Sequence, residues 1–325
     1  MDQDGQLLFS DDPFLIGCNT AFQLIEEGKF ADALEKIDDL MNRNPDFPGL
    51  AETYRTAKFW INRVKDIDRL EEGKMTADFL MKEWEEFTRY ASGKGMLDSA
   101  PYNAAMKHIF FRASEHYTIA FVKEQSTVDN FDLLINLGIC FIRLEDYRRA
   151  IETLEYARSS LRGSAKLLSL LGEANYQVNE IPKSLLYFKE AFFVDPSEID
   201  LSLIRAKPVR DLAEISGRLK PGADPREWIP VFGYLQDILY VKRHLNSQQV
   251  ESIKREIYTL ETALHQSGRE RAEETNIIPR LINKYLWMLD FFEYQNYDFN
   301  NITEIRSRLL KLDKELFKDF FGKKQ

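Results

Sequence analysis

Cysteine is nearly absent: Cys18 and Cys140 are the only two in 325 residues, a count that excludes a disulfide framework. Both fall on apolar faces of predicted helices and are expected as buried free thiols, in keeping with a reducing compartment. Glycine (15) and proline (11) are also sparse. A chain with so few breakers and so much Leu, Glu, Lys and Ala favours long helices over many short strands. No run approaches 18 uncharged apolar residues, so no transmembrane helix is expected. Leu15-Ile16-Gly17-Cys18 has the outline of a lipoprotein cleavage box, but Asp11-Asp12-Pro13 precedes it and no basic or apolar region leads into it. The expected location is cytoplasmic.

Catalytic signatures are missing as well. The four histidines, His108, His116, His244 and His265, show no His-Glu-x-x-His spacing and no cysteine partners, so no metal or other cofactor is expected. Gly217 to Gly222 has the spacing of a phosphate loop, but Ala223-Asp224 stands where Lys-Ser/Thr is required and no strand precedes it. Paired carboxylates such as Glu85-Glu86 sit on amphipathic helices, where solvation explains them. The expectation is a protein that is not an enzyme.

What is present is a core and an uneven charge. The chain is 44% hydrophobic and 30% charged, too apolar for disorder, and its length fits one long or two ordinary domains. The formal charge of −9 divides into about −12 over residues 1–200 and about +3 over 201–325, which argues against nucleic acid as the ligand of the front half. Asp2, Asp4, Asp11 and Asp12 make the opening the most acidic part. Arg205, Lys207, Arg210, Arg218, Lys220 and Arg226 form a loose basic stretch that reads first as a solvated face and loop.

The strongest signal is a repeat. Leu134/Leu168, Leu137/Leu171, Gly138/Gly172, Ala150/Ser184, Leu154/Phe188 and Ala157/Ala191 are each offset by 34 residues. The units run 131–164 and 165–198. A third, 14–47, carries Ala21 at the glycine position, Leu24 at an aromatic one and Ala33, Ile37 and Leu40 on its second helix, closed by Pro45. Each unit reads as two helices crossing closely, with Gly138 or Gly172 facing Ala150 or Ser184. Pro196 ends the last unit.

This pattern resembles the tetratricopeptide-repeat (TPR) family, and the matching units cover about a third of the chain. Arg162 stands where a closing proline is usual, and Asn175 where an aromatic is usual. The stretch 48–130 lacks the register and reads as helices at about 49–71, 76–91 and 101–124, with turns at Glu71-Glu72-Gly73-Lys74 and Ser92-Gly93-Lys94-Gly95. The expected fold is all-α: a TPR-like superhelix over 1–200, then a helical bundle over 201–325.

In the back part, breakers at Lys207-Pro208 and Lys220 to Pro225 flank a short helix. Longer helices are expected at about 225–244, 247–266, 275–296 and 301–321. Val250, Ile253, Ile257, Leu260 and Leu264 are spaced like a heptad seam. So are Ile278, Leu281, Tyr285, Met288 and Phe292, and so are Ile302, Ile305, Leu309, Leu312 and Leu316. Such coiled-coil-like seams can pair within the chain or across a homodimer. Ser247 looks like a helix cap and Ser267-Gly268 like the matching stop. Trp287 and Phe291 lie on a flank of the seam, and the aromatics from Tyr285 to Phe299 read as core packing or as a partner surface.

The resemblance implies a concave groove lined by the first helix of each unit. Its positions here are Asp132, Ile135, Ile139, Ile142 and Arg143 in one unit and Lys166, Ser169, Glu173, Tyr176 and Gln177 in the next; in the front unit they are Leu15, Cys18, Phe22, Ile25 and Glu26. Ile135 and Ile139 stand where chaperone-tail-binding members carry Lys and Asn, so that specificity is not expected. Either an apolar or amphipathic partner segment fills the groove, or an internal helix already covers the isoleucines. The functional expectation is a scaffold or adaptor that binds a protein or peptide. The alternatives are a ligand- or peptide-responsive regulator and a subunit of an envelope-associated assembly.

Overall fold

The computed structural model describes residues 13–45, 49–67, 69–123, 131–160, 163–239, 244–267 and 276–323. The acidic opening up to Asp12, Phe47 at the end of the front unit, Arg162 and the Gly268 stop lie outside them. Among the described residues every regular element is helical, as the scarcity of breakers implies. None of these helices is long and apolar enough to cross a membrane. Two compact units divide the chain, Met1–Ser160 and Leu161–Gln325.

The first unit holds α1 (Pro13–Glu26), α2 (Phe30–Arg43), α3 (Leu50–Ile67), α4 (Lys74–Ser92), α5 (Ala100–Lys123), α6 (Phe131–Arg143) and α7 (Tyr147–Ser160). The three helices expected between the repeats are α3, α4 and α5. α5 has almost no polar face because α1, α3, α4 and α6 all pack against it. Its small residues Ala104, Ala105, Ala113 and Ala120 are buried and let those neighbours approach. Aromatic rings fill the space between α2, α3, α4 and α5: Trp60 stacks on Phe30 and Trp84, and Trp84 meets Tyr102 and Phe110.

The second unit holds α8 (Ala165–Gln177), α9 (Ile181–Val194), short 3-10 turns at Pro196–Glu198 and Leu201–Leu203, α10 (Lys207–Leu219) and α11 (Pro225–Leu235). It continues with α12 (Ser247–Ser267), α13 (Ile277–Asp290), a π-helical turn at Phe291–Gln295, α14 (Phe299–Leu312) and α15 (Lys314–Lys323). The division expected near residue 200 falls inside this unit. The reason is polar: Asn283 and Lys284 of α13 donate to the carbonyls of Phe192 and Phe193 on α9, at 3.1 and 2.9 Å. A change of sequence pattern after Pro196 therefore does not separate α9 from the helices that follow.

Three expectations for this region are corrected. The helix expected at 225–244 ends at Leu235, where Asp237 takes a left-handed φ of 55°. The one expected at 301–321 is two helices, broken at Asp313, whose carboxylate accepts from the Leu316 amide (3.0 Å) and from Lys220 Nζ (2.8 Å). The cap of α12 is Asn246 rather than Ser247. Its Oδ1 accepts from the Gln249 amide at 2.9 Å while Gln249 Oε1 accepts from the Asn246 amide at 3.0 Å, a reciprocal box.

The three hairpins of the repeat share one turn. Gly28, Glu145 and Asn179 all have left-handed φ, +77°, 61° and 65°. In each, the next amide reaches back five residues: Lys29 to Leu24, Asp146 to Phe141 and Glu180 to Asn175, at 2.8, 2.9 and 2.9 Å. A Cβ on Gly138 would stand 2.5 Å from Leu154, and one on Gly172 would stand 2.9 Å from Phe188. The side chains over the glycines are thus Leu154 and Phe188, one turn beyond Ala150 and Ser184. Ser184 contributes differently, donating its hydroxyl to the Gly172 carbonyl at 2.7 Å.

Candidate functional site: an open cleft in the second unit

The groove positions divide between the units, and several of them are buried within the chain. In the first unit Ile135, Ile139 and Ile142 are buried, and the Arg143 guanidinium lies 6.0 Å from the Phe110 ring of α5. α5 also covers α1: Lys107 pairs with Glu26 at 3.3 Å, and His108 Nδ1 donates to the Glu26 carbonyl at 3.2 Å. In the second unit Ser169 and Glu173 are buried. Glu173 accepts from the Ala206 amide (2.9 Å) and from Gln177 (2.7 Å). Burial holds its carboxyl above the ordinary value. Tyr176 and Gln177 are half-buried beside it. Ile135, Ile139, Ile142, Ser169 and Glu173 thus serve packing and internal bonding.

Three residues of the basic stretch are likewise engaged within the chain. Lys207 pairs with Asp211, Lys220 with Asp313, and Arg226 with Asp224 and the Ser197 carbonyl. The aromatic run splits. Tyr285, Trp287 and Phe292 are buried in the core, whereas Tyr294, Tyr297 and Phe299, beyond the helix, are exposed.

A cleft of about 330 Å³ lies between the end of α9, α12 and α13. Its volume is at the lower end of the range that holds a ligand or a few side chains. Phe193, Val194, Pro196 and Leu260 make one wall apolar. Val194 is 43% exposed. Ser252, Arg255, Glu256 and Thr259 come from one face of α12, and Arg280, Asn283 and Lys284 from α13.

The cations of this cleft differ in their freedom. Arg280 is held by Glu227 at 2.6 Å and by Asp195 at 3.0 Å, bonds that raise its basicity further. Lys284 is buried; its Nζ lies 2.8 Å from Glu256, 2.9 Å from the Phe193 carbonyl and 3.7 Å from the centre of the Phe193 ring. Burial pulls its pKa down, against the pull of Glu256. Arg255 is exposed and makes no ion pair among the described residues.

None of this cleft was picked out from the sequence. Arg255 and Thr259 are off-seam residues of an amphipathic helix and look like any solvated face. The legible signal was Arg280, Asn283 and Lys284, three polar residues inside the apolar run from Ile277 to Leu289. A scan against models of protein families finds no match, and searches of curated proteins and of solved structures find none either.

Proposed function

We propose that this chain is a non-enzymatic interaction protein, built partly from TPR-like helical hairpins, that holds a segment of a partner in the α9/α12/α13 cleft. The shared turn geometry of the hairpins supports the resemblance. Helix pairs of this kind would stack as a short superhelix, and the later helices would form a bundle. The observation that carries the choice of site is the contrast in accessibility. The groove isoleucines are buried, while the cleft keeps an exposed apolar wall beside an arginine that makes no ion pair among the described residues. Exposed apolar surface rimmed by charge is typical of interaction sites.

Selection of a phage-displayed peptide library on the purified full chain tests this reading. Selected peptides are expected to lose binding to Thr259→Trp, which fills the cleft, and to keep it with Tyr176→Ala. The reverse pattern would return recognition to the groove positions.

A further inference from the structure

The cleft contains a feature that a purely apolar binding site would not need. Lys284 is 7% exposed yet carries an ammonium group, and its anionic partner is the half-exposed Glu256. Glu256 sits on the outer part of α12 with its side chain 45% exposed, so it can leave for water with little loss of hydration. Lys284 cannot follow it, because a buried cation without a partner is strongly unfavourable. The arrangement tolerates exchange of one carboxylate for another and little else. Arg255 lies one residue away on the same helix, also lines the cleft, and makes no ion pair among the described residues.

We propose that the cleft recognises an acidic side chain on an extended partner segment, its carboxylate replacing Glu256 on Lys284 while a neighbouring apolar side chain rests on Val194 and Leu260. Arg255 supplies the second contact to the incoming carboxylate. Arg280 does not take part, since Glu227 and Asp195 already occupy its guanidinium. The inference rests on the reading of the cleft as the partner site and adds the chemistry of what enters it. The volume of about 330 Å³ suits two or three side chains of an extended segment and is too small for a helix.

The test uses fluorescence anisotropy with the full chain and a fluorescein-labelled pentapeptide alternating leucine and glutamate. The same peptide with glutamine for glutamate, and octanoate as a free apolar acid, serve as comparisons. The glutamate peptide is expected to bind about tenfold more tightly than the glutamine peptide, and Arg255→Glu to weaken it about tenfold. Glu256→Gln removes the resident competitor and is expected to tighten binding about threefold, a sign that a merely structural ion pair would not give. Circular dichroism on each variant establishes folding, and Arg255→Glu, being on the surface, keeps the test intact if Glu256→Gln misfolds.

Equal binding of both peptides, still lost in Thr259→Trp, would overturn the acidic specificity and leave the cleft as an apolar site. Displacement of the peptide by octanoate at equal concentration would overturn the partner segment in favour of a free acid. Binding of neither peptide, together with a library selection insensitive to Thr259→Trp, would overturn the cleft itself.

Discussion

A large and a small residue exchange places between the hairpins. In the two adjacent units the first helix carries Leu134 or Leu168 and the second carries Ala157 or Ala191. At the matching positions of the front hairpin stand Gly17 and Leu40, and a Cβ on Gly17 would lie 2.8 Å from Leu40. The crossing is kept by moving the bulk from one helix to the other. Gly17→Ala is therefore expected to destabilise the protein by about 1 kcal/mol through overpacking. In a Leu40→Ala background, which itself costs about 3 kcal/mol, the same change should be neutral or stabilising. Urea denaturation of the two single variants and the double variant measures the coupling, and simple additivity would contradict the paired packing.

Two histidines give the first unit a pH dependence. His116 Nδ1 accepts from the Gly73 amide at 3.4 Å, and His108 donates to the turn at Glu26. Burial, with Arg112 nearby, holds both below the ordinary histidine value. The unfolded chain therefore takes up these protons first as the pH falls. The stability they contribute is present above about pH 6.5 and is lost as the pH drops through the lower folded values. The urea midpoint of the full chain should fall between about pH 6.5 and pH 5, and less so in His116→Gln, which keeps an acceptor for Gly73. A midpoint unchanged over that interval would contradict the assignment.

At the scale of elements, α12 is anchored at its start by side chains standing in for backbone. Gln295, the last residue of the π turn, donates to the Leu245 carbonyl at 2.6 Å and accepts from its amide at 2.8 Å. Asn246 and Gln249 then close the capping box. Gln295→Ala should destabilise the second unit by about 2 kcal/mol, because it strands both polar groups of Leu245. Hydrogen exchange at the Leu245 amide should quicken by a corresponding factor, and an unchanged rate would show that this clamp is not what holds α12.

The elements themselves were legible where periodicity was strong. The 34-residue offset located α6 to α9 and, through Ala21, Ala33 and Ile37, the front hairpin. The long helices α3, α4 and α5 followed from apolar spacing and glycine turns. The misses have separate physical causes. Nothing local in Leu309-Leu310-Lys311-Leu312 announces a break at Asp313, which is fixed by Lys220 from 93 residues away. Ser247 is as good a cap by type as Asn246, and only the reach of Gln249 chooses between them. The groove positions were read from one hairpin at a time, and burial by α5 or by the segment ending at Ala206 depends on chain distant in sequence.

At the scale of the molecule, the central claim is that binding is carried by the cleft of the second unit and not by the hairpin grooves, several of whose positions are buried within the chain. Amide chemical-shift mapping of the isotopically labelled full chain, titrated with a library-selected peptide, tests it directly. Shifts concentrated at Val194, Ser252, Arg255 and Thr259, with those of Asp132, Lys166 and Tyr176 unmoved, are the predicted result. Shifts concentrated at Asp132, Lys166 and Tyr176, with the cleft silent, would contradict it.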